Sequence, residues 1–105
     1  MSAIQETSGD RPVSSQPSTT RYVVVRLVNG HEDPEVVTVK PEDGQIDHER
    51  TGLVLENIEG RVLICGRSTV TNSTGTARGF RGECQIAVFA SEDDADRQAG
   101  DWEEA

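Results

Sequence analysis

Arg61, Arg67, Arg78 and Arg81 fall within residues 61–82, a stretch that holds no acidic residue. Its last part, Ala77-Arg78-Gly79-Phe80-Arg81-Gly82, sets one aromatic between two arginines with glycines alongside. A guanidinium fork binds phosphate at two points, and a base can stack on a phenyl ring. Glycine lets the backbone approach a ligand closely. Arg61, Arg67, Arg78, Phe80 and Arg81 therefore form a candidate anion or nucleic-acid site. The competing reading is a solvated hairpin loop with Phe80 turned into the core, which has reason to claim one of only two phenylalanines.

Three other groupings could carry chemistry. His31-Glu32-Asp33 and Asp47-His48-Glu49 combine imidazole with carboxylates, the ligand types of zinc and other divalent metals. Neither has helical i, i+4 spacing or a known ligand motif, so no metal site and no cofactor are assigned. Cys65 and Cys84 lack a CxxC arrangement and fall in strand-like apolar surroundings. They read as buried, inert thiols. A Cys–His dyad would need an exposed thiol beside His31 or His48. No GxSxG, P-loop or GxGxxG motif appears, and a domain this small has little volume to spare for a deep substrate cavity. No enzyme is expected. Trp102 stands alone in an acidic segment, where it is either an anchor for a protein partner or a clamp onto its own domain.

The elements that must position these residues divide the chain in three. Residues 1–20 are rich in Ser, Thr, Pro and Gln with scattered aliphatics, and read as a disordered arm. Residues 91–105 carry seven acids and one arginine and read as an acidic tail. Ser91 and Asp94 could cap a short helix over residues 92–98, which Gly100 would stop. Between them, residues 21–90 read as a β-domain of short strand runs separated by loops. The β-branched run 21–28 and the run 35–40 form a hairpin across the Asn29-Gly30 loop. Residues 42–52 read as an irregular connection. Runs 53–56 and 61–66 flank residues 57–60 as a second hairpin, residues 68–72 continue its last strand past a bulge or bend at Gly66, and 73–82 is a loop. The last strand is 83–90. No core segment shows helical periodicity over ten positions. The fold expected is an all-β domain, a small antiparallel barrel or sandwich of five to six short strands.

The chain has 105 residues and a formal charge of -9. The acids concentrate at the C-terminal end, whereas the middle is nearly balanced. Long-range attraction to a polyanion is thus unfavourable, since nucleic-acid domains are usually basic. No apolar run is long enough to span a membrane. The start of the chain shows neither a basic nor an apolar export signal, so a cytoplasmic location is expected. The function expected is binding through protein contacts: an adaptor, inhibitor or assembly subunit. Residues 22–25 are apolar on successive positions, which calls for core on one face and a partner on the other. Edge strands suit strand addition or homo-oligomerisation. The alternative is nucleic-acid or polyanion binding through residues 61–82, with the acidic tail as an internal competitor.

Overall fold

A computed structural model describes residues 19–29, 33–69 and 73–104. The arm is therefore outside the described residues up to position 18, and His31 is outside them as well. Among the described residues eight short strands and one α-helix follow in order, with a short 3-10 turn (Pro41–Asp43) between the second and third strands: β1 (Arg21–Leu27), β2 (Glu35–Val39), β3 (Ile46–His48), β4 (Leu53–Ile58), β5 (Arg61–Ile64), β6 (Arg67–Thr69), β7 (Thr74–Gly79), β8 (Gly82–Phe89) and α1 (Glu92–Glu104). They make two antiparallel four-stranded sheets, ordered β2-β1-β8-β7 and β3-β4-β5-β6. Neither sheet closes on itself. Among the described residues no helix is long and apolar enough to cross a membrane.

Alternation builds the core. Val23 and Val25 of β1, Val39 of β2 and Cys84, Ile86 and Val88 of β8 join Leu53, Leu55, Val62 and Ile64 from the other sheet in one buried cluster. Successive strand residues point to opposite faces, so Val24 and Ala87 must face away from this cluster. They are buried too, because α1 covers them with Ala95 and Trp102. The second apolar face of residues 22–25 is thus covered by the chain's own helix, where the sequence suggested a partner.

Several expected boundaries move, each for a local reason. Gly66 is no bulge: Cys65 and Gly66 both take positive φ, 54° and 82°, and the chain reverses in two residues. That is the twist a tight hairpin requires. Arg67 consequently pairs back with Ile64, and β6 is a new antiparallel strand rather than a continuation of β5. The supposed loop 73–82 is mostly β7, which pairs with β8 from Thr74↔Ala87 to Gly79↔Gly82. The connection 42–52 contains β3, which pairs with β4. Among the described residues the strand count is therefore eight rather than five to six.

The acidic tail is also more ordered than its composition suggests. Ser91 Oγ accepts from the Asp94 backbone N–H at 3.4 Å, which is the expected cap, and the acids Glu92, Asp93 and Asp94 sit in the first turn where the helix dipole favours them. The helix does not stop at Gly100. Ala95, Ala99 and Trp102, spaced for one helical face, pack on the sheet and offset the roughly 1 kcal/mol that an interior glycine costs. Arg26 of β1 secures the far end: its Nη1 donates to the Trp102 carbonyl oxygen at 3.1 Å, and its guanidinium lies 5.1 Å from the indole centroid.

Candidate functional site

The arginines of residues 61–82 do not form one patch. Arg61 opens β5 beside the Glu59–Gly60 turn, whereas Arg67 follows the turn at the opposite end of that strand. Arg67 and Arg78 come together on a cleft of about 320 Å³ between the edges of β6 and β7. Both side chains are exposed, and neither has a hydrogen-bond or ion-pair partner among the described residues. Phe80 and Arg81 form the tip of the β7–β8 hairpin, beside a second cavity of about 540 Å³.

Phe80 does not turn inward. It is 98% exposed. The hairpin tip beneath it is fixed: the Phe80 N–H donates to the Gly52 carbonyl (3.4 Å) and the Arg81 N–H to the Thr51 carbonyl (3.1 Å). Two glycines permit this approach. A methyl group at Gly52, where φ is +76°, would fall on the backbone of Phe80, and one at Gly79 would fall on the Thr51 carbonyl. Arg81 Nε donates to the Glu49 carbonyl at 3.0 Å. The neighbouring cavity is lined by Leu53 and Val54 together with the acidic residues Asp47 and Glu49. An aromatic ring is thus held out in water on a rigid mount, next to a pocket of mixed charge.

His48 has a different setting from the metal-type cluster suggested by its neighbours. It is 8% exposed and bridges the two sheets, with Nε2 2.9 Å from Glu35 Oε1 on β2 and Nδ1 2.7 Å from Thr51 Oγ1. A carboxylate can only accept, so Nε2 carries the proton, and in the neutral ring Nδ1 accepts from the threonine hydroxyl. Arg50 Nη1 adds a 3.2 Å contact to the same Glu35 oxygen. Thr51 is 2% exposed, so its hydroxyl reaches no substrate. The group is a clasp between β2 and β3. Among the described residues no three His, Cys, Asp or Glu side chains gather as a metal site would require. No local sequence pattern joins Glu35 and Thr51 to His48, although Ile46 and His48 share one face of β3 by alternation.

The two thiols differ. Cys84 is buried, and burial pushes its pKa up from the ordinary value. Cys65 is exposed, contrary to expectation, because it occupies the left-handed turn after β5; its Sγ lies 3.4 Å from the Arg78 carbonyl oxygen. Trp102 is 9% exposed and packs in the helix–sheet cluster with Val24, Ala87 and Ala95. The helix that carries it rests on β1, β8 and β2, whereas Arg67 and Arg78 lie at the β6–β7 cleft. Comparison of the chain with protein-family models, with characterised proteins and with solved structures returns no match.

Proposed function

We propose that this chain is a small non-enzymatic binding module acting through protein contacts, built as a two-sheet sandwich with α1 as an outer layer. One observation carries the reading: Phe80 is 98% exposed on a hairpin tip held by backbone hydrogen bonds to the 51–52 turn. Burying such a ring is worth roughly 1.5–3 kcal/mol, and a preformed mount spares the cost of ordering it on binding. An aromatic beside an arginine and a partly apolar pocket has the composition of an interface anchor.

Nucleic-acid binding by the same tip is the weaker reading. Asp47 and Glu49 border the pocket beside Phe80 and would repel phosphate. The acid-free arginines are split between three places, the start of β5 (Arg61), the β6–β7 cleft (Arg67, Arg78) and the hairpin tip (Arg81), and α1 rests on other strands, which gives the internal-competitor idea no geometric support.

The test replaces Phe80 by a photoreactive benzoylphenylalanine and compares it with the same substitution at Thr38, an exposed position of β2. After irradiation in source cells, discrete protein adducts are expected from position 80 and not from position 38. Nucleic-acid adducts alone, or identical adducts at both positions, would overturn the proposal.

A further inference from the structure

The β6–β7 side of the molecule carries a second surface, distinct from the Phe80 tip. β7 is an edge strand with few side chains on its inner face. Ala77 packs against the core, so Gly75 and Gly79 share its inward face by alternation. A methyl group added at Gly75 would meet nothing within 4 Å. β7 therefore leaves space over the core instead of filling it, and Ile64 and Ile86 form part of the floor of the cleft that results.

The backbone of β7 is available on the same side. The Val88 N–H donates to the Ser73 carbonyl at 3.0 Å, which fixes the alternation of the β7–β8 ladder. In an antiparallel pair, residues turn their hydrogen-bonding groups alternately toward and away from the neighbour. Ser73, Gly75, Ala77 and Gly79 therefore bond toward β8, and Thr74, Thr76 and Arg78 turn theirs outward. The Cys65 thiol at the Arg78 carbonyl agrees with this parity. An incoming strand would find the N–H and C=O groups of Thr74 and Thr76 at ladder spacing. The charge around them is one-sided: Arg67 and Arg78 line the cleft, and residues 61–82 hold no acid.

We propose that this cleft binds an extended acidic peptide segment of a partner protein by strand addition to β7. Alternate side chains of the added strand would be aliphatic, filling the space over Gly75 and Ala77; the intervening ones would be carboxylates, met by Arg78 on the outer face and attracted by Arg67 from the margin of β6, where it shares the inward face with Ile64. Among the described residues neither guanidinium has an ion pair, and a guanidinium can bind a carboxylate at two points. This rests on the protein-binding reading above but uses a separate surface, so the two can fail independently.

The experiment uses the full chain and a fluorescein-labelled peptide of alternating glutamate and valine, with a lysine–valine peptide as control, read by fluorescence anisotropy. Saturable binding of the acidic peptide alone is expected. It should weaken at least about tenfold in the Arg67→Glu, Arg78→Glu double variant, since two charge-assisted contacts become repulsive. Thr76→Pro should weaken it similarly, because proline removes an outward N–H and leaves the β8 ladder intact. Trp102 fluorescence verifies that each variant keeps the helix docked. Phe80→Ala should leave this affinity unchanged even if position 80 is the anchor for another partner. No saturable binding, or binding indifferent to both Thr76→Pro and the charge reversal, overturns the proposal. So does tighter binding of a single-stranded oligonucleotide that the charge reversal abolishes and Thr76→Pro does not, which would make the cleft a phosphate site.

Discussion

The two lateral sides of the paired sheets are finished in opposite ways. Where β2 approaches β3 and β4, polar side chains cross from one sheet to the other. His48 reaches Glu35, and Asn57 of β4 donates through Nδ2 to the Val39 carbonyl of β2 at 2.9 Å. Where β6 approaches β7, the structure has exposed arginines, a thiol at a carbonyl and a cleft. A buried hydrogen bond is costly to break, because its surviving partner loses water and gains nothing. An exposed arginine with no partner contributes little to folding. The first side thus ties the sheets together through buried polar groups, whereas the second is lined by exposed arginines.

Asn57→Ala tests the closed side most severely. Asn57 is 3% exposed; besides Val39 it donates to the Thr19 carbonyl at 2.7 Å, and its Oδ1 accepts from the Gly60 N–H at 2.7 Å. Alanine would remove the Asn57 acceptor from the buried Gly60 N–H and the second donor from the Val39 carbonyl, which still faces Arg21 in the β1–β2 ladder. A loss of about 3 kcal/mol is expected from urea unfolding. A loss under about 1 kcal/mol would show that water satisfies those groups and that this side is less closed than it looks.

His48→Leu should cost less, about 1–2 kcal/mol. Leucine is of similar size and apolar, so the packing between β2 and β3 is largely kept. The losses are the Thr51 hydroxyl's partner and the contact to Glu35, whose side chain is 41% exposed and can be rehydrated. The difference between Asn57 and His48 is then a measure of how much of the closure depends on buried backbone groups.

This asymmetry was only partly legible in the sequence. The runs around Val23–Val25 and Ile86–Val88 are dense enough in β-branched residues to announce strands, and period-two alternation places Leu53 and Leu55 in the core. The β4–β5 hairpin follows from its glycine turn. The Cys65–Gly66 reversal does not, because a cysteine at positive φ has no propensity to advertise it. β7, with the sequence TGTARG, reads as a loop because its inner face is two glycines and an alanine; its pairing with β8 supplies what its side chains do not. The helix was hidden by its acids. Ala95, Ala99 and Trp102 are the whole apolar stripe, and only the uncovered face of Val24 and Ala87 gives that stripe a destination. As for the site, the arginines and Phe80 were visible as types, but their division between a hairpin tip and a cleft depends on strand register, which no local pattern sets.

The mildest change belongs to the open side. Arg67→Ala and Arg78→Ala, singly or together, should alter unfolding stability by no more than about 0.5 kcal/mol, the usual range for surface residues without partners. If the pair were as costly as His48→Leu, the arginines would be holding β6 to β7, and the two sides would differ in solvent exposure but not in role. A near-zero result combined with the large Asn57 effect would locate the closure of the fold on the β2–β4 side. The β6–β7 edge would then be able to accept another strand at little expense to the structure that carries it.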